Sequence, residues 1–258
     1  MASGGFGNRL LATLPRSDFD LLAPELETVV LDHNAVLSRA GEQVDYVFFP
    51  HAGAISLMVD MADGRTVATA VIGRDGVVGS LSVLGPSPSA ITAIVRVAGT
   101  ASRISASRFH AAFGRSPAIR HAIQSHVRAM LIQFQLGSAC HALHPVEARM
   151  SRWLLQLRDC VDQDVLPLTQ QELSQILGVR RTTVTLLMRN LRASAAIISD
   201  RRGQIEIDRS RLAAAACECH DTMRREIEEV FSMGMGRSRE TAVSRDRRIL
   251  TSEPGGAG

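Results

Sequence analysis

The feature that most constrains the fold is a segment in the second half of the chain, residues 168–191, which reads LTQQELSQILGVRRTTVTLLMRNL. Thr169 and Glu172 form the T-x-x-E pattern of a capping box, in which the side chain of each residue hydrogen-bonds the backbone amide of the other. A helix is therefore predicted to begin at Gln170. Gly178 is predicted to end it, because glycine adopts the left-handed conformation that closes a helix without a Cβ clash.

A second helix is predicted to follow near Arg180, after a turn of about three residues, which is the spacing of a helix-turn-helix. Apolar residues at helical spacing mark its buried face: Val184, Leu187 or Met188, and Leu191. The opposite face carries arginine and threonine at i, i+4 and i+8, with two further residues beside them: Arg181, Thr185 and Arg189, flanked by Thr182 and Leu186.

The outward face of the second helix has the chemistry that reading a DNA groove requires. Arginine can donate to guanine or to phosphate oxygens, and the threonine methyl group can contact thymine. We therefore interpret it as a recognition helix. The alternative is a solvated charged face on a structural pair of helices.

The next segment, AIISDRRGQIEI, contains two short apolar strands around a turn that carries Arg201 and Arg202. This pattern predicts a β-hairpin whose arginines neutralise phosphates beside the second helix. A helix-turn-helix followed by such a hairpin is a winged helix. Asp208 is predicted to cap the helix that closes the unit.

The first half of the chain has a different periodicity. From about Val29 to Arg103 it consists of short β-branched runs separated by glycines, including VDYVFFP, AISLMVDM, TVATAVI and ITAIVRV. Each run is predicted to be a strand, and the pair Asp63-Gly64 is a strong hairpin signal. Many short strands at this spacing predict an antiparallel β-roll or jelly roll.

A long helix with a single apolar stripe is predicted between the two regions. The stripe consists of Ile119, Ile123, Val127, Met130 and Phe134. We expect it to be a dimer seam, because it continues for several turns between two domains. The alternative is a helix packed on its own domain. A further helix is predicted after Pro145.

Composition narrows the class of protein. The 258 residues suffice for two domains of ordinary size, and every fixed positive side chain is an arginine. No apolar run approaches the ~20 residues that span a bilayer, and the start MASGGFGNRL lacks a secretory pattern, so we expect a cytoplasmic protein without a membrane partner. Cys217, Cys219 and His220 resemble a ligand cluster without a fourth member, so no metal or other cofactor is expected.

The chain resembles the Crp/Fnr family of bacterial transcription regulators. The resemblance rests on the helix-turn-helix segment, the wing RRGQIEI, the linker helix HPVEARMSRWLLQL and the upstream stretches RAGEQVDYVFFPHAGAISL and GRDGVVGSLSVL. The resemblance covers about residues 10 to 220. It implies an α+β fold with a cyclic-nucleotide-binding-like β-roll at 9–114, a dimerisation helix at 115–143 and a winged helix-turn-helix at 145–231. The tail at 232–258 mixes charges with glycine and proline and lacks a sustained apolar face, so it is predicted to be disordered. It also implies a homodimer on palindromic double-stranded DNA, with RNA polymerase as a further partner.

The resemblance and the motif together suggest which residues touch DNA. Base contacts are expected from Arg181, Thr182, Thr185 and Leu186. Contacts to the DNA backbone are expected from Thr169, Gln170, Arg180, Arg189, Arg201 and Arg202. Leu186 replaces an arginine that the family often carries, so the preferred DNA site is expected to differ. Ala195 stands where the family commonly has glycine or asparagine. A left-handed alanine there would cost ~1 kcal/mol, so the alternative is a rearranged helix end.

The effector pocket is expected at Gly79, Ser80, Ser89 and Ala90. Members that bind cyclic AMP have a glutamate for the ribose and an arginine for the phosphate, where this chain has Ser80 and Pro88. Without these partners a buried cyclic phosphate would be unpaired, so we expect no response to cyclic AMP and leave the effector unidentified. The chain has no cysteine before Cys140, so the N-terminal set that holds an iron-sulfur cluster is missing.

Two other classes of function are alternatives to a DNA-binding regulator. One is a small-molecule or nucleotide sensor that acts through protein partners and uses its helix pair for docking. The other is an enzyme built on the β-roll, which is disfavoured because the strands lack an H-x-H metal pair and GSLSV is not a nucleophile elbow.

Overall fold

Residues 7–85, 88–199 and 203–232 are described by the computed structural model of the chain. They form an N-terminal antiparallel sheet, a long helix, and a C-terminal unit of helices with a small sheet of its own. The predicted α+β fold is therefore confirmed.

The N-terminal sheet has the strand order β1-β5-β3-β4, with β2 paired to β5, and every pairing is antiparallel. Its strands are β1 (Glu27–Leu31), β2 (Val36–Ser38), β3 (Tyr46–Asp60), β4 (Thr66–Ile72) and β5 (Thr92–Ser105).

The runs VDYVFFP and AISLMVDM were predicted as separate strands, but the structure joins them in the single strand β3. Register shifts between Pro50 and Ile55 mark a bend in its pairing with β5. Gly99 makes this bend possible, since a Cβ there would lie 2.1 Å from the carbonyl oxygen of Ala52. The predicted turn at Asp63-Gly64 joins β3 to β4, and Gly64 has the required positive φ of 82°.

Short helices and the start of a long one cover one side of the sheet. They are α1 (Arg9–Ala12), α2 (Arg16–Phe19), α3 (Ala106–Arg115) and α4 (Pro117–Leu143), with 3-10 turns at Ala23–Glu25 and Ser80–Leu84. Their apolar side chains share one buried cluster with β3 and β5, in which Phe49 and Phe109 meet edge to face. Burial of this apolar surface fixes the helices on the sheet.

The apolar stripe of α4 faces inward rather than toward a second chain. Ile119, Ile123 and Met130 are 1%, 3% and 3% exposed in the single chain. Val127 is partly buried against the cluster that contains Ile119 and Ile123, and Phe134 is partly buried against a second cluster, formed by Met130 and residues of the sheet. The prediction of a dimer seam on this stripe is therefore wrong, because the chain's own β-roll covers it, and the alternative of a helix packed on its own domain describes the structure.

A different face of α4 remains exposed. Its residues recur at intervals of four and three positions, which keeps them on one side of the helix. They are Gln124, Arg128, Leu131, Gln135 and Ser138. Leu131 is the large apolar residue of this set and is 50% exposed.

The C-terminal unit begins with α5 (Val146–Val161), which follows Pro145 as predicted. Its remaining helices are α6 (Gln170–Leu177), α7 (Arg181–Ala193), α8 (Arg209–Ala215) and α9, which covers 219–232. A small antiparallel sheet has the order β6-β8-β7, with β6 (Val165–Leu166), β7 (Ile197–Ser199) and β8 (Ile205–Ile207). The tail was predicted to start at residue 232. Ser232 lies in α9, and residues 233–258 are outside the described ranges.

One hydrophobic cluster continues from the C-terminal unit into the β-roll. Trp153 and Leu154 of α5 belong to the same buried cluster as Met58, Val71 and Val97 of the sheet. The two units therefore share a core. Among the helices of the described ranges, none has both the length and the apolar character needed to cross a membrane.

Candidate nucleic-acid interface

The start of α6 has the geometry that its sequence predicts. The Thr169 hydroxyl accepts a hydrogen bond from the Glu172 amide at 3.2 Å, and the Glu172 carboxylate accepts one from the Thr169 amide at 2.7 Å. Gly178 ends the helix with a φ of 64°. The capping box and the glycine therefore fix the length of α6 and the position of the turn.

The second helix, α7, begins directly after Arg180 and separates its residues into two faces. Its buried residues are Val184, Leu187, Met188 and Leu191, as predicted. Its exposed residues include all five of the predicted outward face: Arg181, Thr182, Thr185, Leu186 and Arg189. Leu186 is 48% exposed and contributes an apolar patch between polar neighbours.

The charge of this region has one sign. No aspartate or glutamate occurs from Gly178 to Ser199, whereas four arginines do: Arg180, Arg181, Arg189 and Arg192. Such a surface attracts a polyanion, and arginine offers paired donors to phosphates and guanine.

The N-terminus of α6 lies next to this face. The Thr185 hydroxyl donates a 2.8 Å hydrogen bond to the side-chain oxygen of Gln170. Thr169 is exposed and Gln170 is half-buried, so both predicted backbone contacts border the arginine face. Arg201 and Arg202 of the predicted wing tip lie outside the described residues, and strands β7 and β8 flank them.

The connection from α7 to β7 contains a left-handed alanine. Ala195 has a φ of 55°, one of the two conformations that the sequence analysis considered. Its amide donates to the carbonyl of Arg192 at 2.9 Å, which closes the helix end. The chain thus uses alanine where glycine would be unstrained.

The four predicted effector residues meet in one cavity. Gly79, Ser80, Ser89 and Ala90 line a space of about 430 Å³ together with Met130 and Phe134 of α4. The described lining contains serine hydroxyls and apolar groups but no charged side chain. A charged ligand in this cavity would find no ion-pair partner among these residues.

A buried polar network joins α6 to the β-roll, which the sequence analysis missed. Glu172 is 5% exposed, and its carboxylate lies 2.8 Å from His33 Nε2 and 3.8 Å from Arg96 Nη1. Arg96 also donates to the side-chain oxygens of Asn34 and Gln175, at 3.1 and 3.2 Å. Burial of Glu172 opposes its ionisation, but hydrogen bonds from Thr169 and Asn34 outweigh this effect and lower its pKa.

The CECH segment does not form the predicted cluster of Cys217, Cys219 and His220. Cys217 and Cys219 lie next to Cys140 and His144 at the end of α4. The three sulfurs and one imidazole nitrogen lie within 4.8 Å of one another. His220 lies outside this group, with its Nε2 2.9 Å from Asp159. The missed signal was the Cys-x-x-x-His spacing in CHALH, which places both side chains on one side of a helix.

Comparisons with known proteins agree with this architecture. The profile of the cyclic nucleotide-binding domain matches residues 28–116, and that of the Crp-like helix-turn-helix domain matches residues 148–215. These two domains define a DNA-binding transcription regulator with a cyclic-nucleotide-binding-type domain. The chain belongs to the Crp/Fnr family.

Solved structures of similar fold cover most of the chain. FixK2 from Bradyrhizobium japonicum is 17% identical, with a TM-score of 0.63 over 74% of this chain and 98% of that one. A Crp/Fnr-family regulator from Eubacterium rectale is 14% identical, with a TM-score of 0.65 over 81% and 98%. The c-di-GMP-responsive regulator CLP from Xanthomonas campestris is 18% identical, with a TM-score of 0.62 over 75% and 99%. At these identities the likeness shows the fold alone, and no curated protein gives a significant sequence match.

Proposed function

We propose that the chain is a non-enzymatic cytoplasmic regulator that binds palindromic promoter DNA as a homodimer and does not respond to cyclic AMP. The observation that carries this proposal is the exposed face of α7, which combines arginine and threonine, in a segment that has no acidic residue from Gly178 to Ser199.

Specific binding follows from the two kinds of side chain on this face. Arg181 and Thr185 read base edges, with Thr182 and Leu186 contacting neighbouring bases. Other residues bind phosphates, which positions the protein on the duplex without reading the base sequence. These residues are Arg180, Arg189, Thr169 and Gln170 at the start of α6, and the wing arginines Arg201 and Arg202.

A homodimer presents two recognition helices to successive major grooves, about 34 Å apart along the duplex. We place the dimer contact on the exposed face of α4 that contains Leu131, since the apolar stripe of α4 is already occupied by the β-roll. RNA polymerase is the further partner that a promoter-bound regulator of this kind would contact.

The effector cavity supports the proposal that the chain does not respond to cyclic AMP. Its described lining offers neither a guanidinium for a cyclic phosphate nor a carboxylate for a ribose. Cyclic AMP would therefore lose its phosphate hydration without gaining an ion pair.

Selection of binding sites from random DNA with the purified full chain tests the proposal. The expected result is a palindromic consensus whose binding weakens steeply with salt and is unchanged by cyclic AMP. Failure to shift any DNA at low salt would favour the alternative of a sensor that docks protein partners. An asymmetric consensus would contradict the homodimer, and tighter binding with cyclic AMP would contradict the reading of the cavity.

A further inference from the structure

Four potential metal ligands converge where the end of α4 meets the segment between α8 and α9. Cys140 Sγ lies 3.5 Å from Cys217 Sγ, and Cys219 Sγ lies 3.5 Å from His144 Nδ1. In a tetrahedral Zn²⁺ site with Zn–S bonds of about 2.3 Å, two sulfurs are roughly 3.8 Å apart. The observed separations, all within 4.8 Å, therefore match the edges of a single-ion tetrahedron.

The histidine is oriented as a ligand would be. Its Nε2 lies 3.1 Å from the Glu218 carboxylate, so Nδ1 is left to face the three sulfurs. A carboxylate on the second ring nitrogen is the usual outer partner of a metal-bound histidine, because it fixes the ring and increases its basicity. Glu218 lies between the two cysteines in sequence, so the CEC segment supplies both ligands and this outer partner.

Two buried arginines give an independent reason to expect negative charge at this place. Arg149 and Arg152 are 6% and 3% exposed, and the Nε of each has no hydrogen-bond partner. Their hydrogen bonds go to uncharged groups: Arg149 donates to the His141 carbonyl, and Arg152 donates to Gln156 and contacts Met223. Within the described ranges no carboxylate pairs with either arginine.

A metal bound by thiolates would supply the missing charge. Three thiolates and a neutral imidazole around a divalent cation leave one negative charge. The two guanidinium groups lie beside this charge, because Arg152 contacts Met223, which packs with the three cysteines, and Arg149 contacts the carbonyl of His141, next to Cys140. Three protonated thiols would instead leave two buried cations uncompensated, which is unfavourable in a low-dielectric interior.

We propose that Cys140, His144, Cys217 and Cys219 bind one Zn²⁺ ion in a closed tetrahedral site. The three cysteines are at most 8% exposed, and the protein fills all four positions, so no position is left open for a substrate. Such a site is structural rather than catalytic. It joins the end of α4 to the start of α9 and thereby ties the long helix to the far end of the winged helix-turn-helix.

Metal analysis of the full chain, purified under reducing conditions with Zn²⁺, tests the site directly. We expect one equivalent of Zn²⁺ per chain and, after exchange for Co²⁺, the absorption of a tetrahedral thiolate complex with sulfur-to-cobalt charge-transfer bands. Cys217→Ser and His144→Gln should lose the bound equivalent. Cys160→Ser should retain it, because Cys160 lies outside the cluster against Gly73.

The cobalt spectrum of the unsubstituted chain keeps the test decisive even if a ligand variant fails to fold. A chain without stoichiometric metal, an octahedral cobalt spectrum, or equal loss of metal in Cys160→Ser would each overturn the proposal. A Cys140–Cys217 disulfide that persists under these reducing conditions would overturn it as well, since these sulfurs would no longer be thiolate ligands. None of these outcomes depends on whether the chain binds DNA.

Discussion

Ala195 has a strained backbone conformation. An alanine with a φ of 55° is in a left-handed conformation that disfavours a Cβ. We expect Ala195→Gly to raise the free energy of unfolding by roughly 0.5 to 1 kcal/mol, after allowing for the greater flexibility of glycine in the unfolded chain.

Chemical denaturation measures this effect, with Ala213→Gly as the control. Ala213 is exposed inside α8, so the same substitution there should lower stability by roughly 0.5 to 1 kcal/mol. Two variants that shift in the same direction would contradict the strain at Ala195.

His126 links stability to pH. Burial lowers the pKa of His126 from 6.5 to about 4, although a hydrogen bond with the Val77 backbone raises it slightly. Because the folded pKa lies below the unfolded one, protonation favours unfolding. Its contribution to stability is present above pH 6.5 and is lost as pH falls toward about 4, by roughly 3 kcal/mol.

A His126→Gln variant isolates this effect. Glutamine does not titrate, so the stability of the original chain relative to the variant should decline through this pH range. The measurement is the free energy of unfolding at a series of pH values. A constant difference between the two proteins would show that His126 titrates normally.

Substitutions of Arg181 and Arg189 distinguish a contact to a base from a contact to the DNA backbone. If Arg181 contacts a guanine, Arg181→Ala should weaken binding to the selected site by about 1 to 3 kcal/mol and relax the preference at one position of each half-site. Arg189→Ala should weaken binding to all sequences alike, because phosphates carry no sequence. Competition binding on single-base variants of the site measures both, and a uniform loss in Arg181→Ala would assign it to the DNA backbone.

At the level of elements, short-range signals predicted the helix-turn-helix well. The capping box at Thr169 and the glycine at 178 act within a few residues, so their geometry can be read from the sequence. Long-range partners could not be read in this way. Nothing local indicates that Glu172 would also approach Arg96 of the sheet, or that Cys140 would meet Cys217.

Helix α4 shows why an apolar stripe is ambiguous. Periodicity predicts which face is buried, but it does not identify what covers that face. The stripe at Ile119, Ile123 and Met130 has the pattern of a helix pair, yet the β-roll supplies the apolar surface within the same chain. The exposed face around Leu131 is more polar and so gave no strong signal.

Substitution of Leu131 tests the dimer contact on α4. A glutamate at the centre of the exposed face would be repelled or desolvated in a dimer, so Leu131→Glu should weaken self-association by at least about 2 kcal/mol, or roughly thirtyfold. Sedimentation at several concentrations measures this change. Leu84→Glu is the control, because Leu84 is 71% exposed and lies in the 3-10 turn of the β-roll. Equal dimerisation of all three proteins would move the contact away from α4.

At the level of the whole molecule, the shared core predicts cooperative unfolding. Trp153, the only tryptophan, reports on the C-terminal unit, whereas Met58 belongs to the β-roll. We expect Met58→Ala to lower stability by about 2 to 5 kcal/mol and to shift the Trp153 fluorescence transition and the circular dichroism transition together. A fluorescence transition that stays in place would show that the two units unfold independently.

Helix α4 also connects the effector cavity to the cysteine cluster. It has 27 residues, so it is a stiff rod about 40 Å long that lines the cavity with Phe134 and carries Cys140 less than two turns further on. A ligand that pushes Phe134 along the axis must carry Cys140 with it. If the four ligands bind Zn²⁺ as proposed, a ligand that displaces Phe134 would also displace one of the metal's ligands, so occupancy of the cavity and metal binding would be linked.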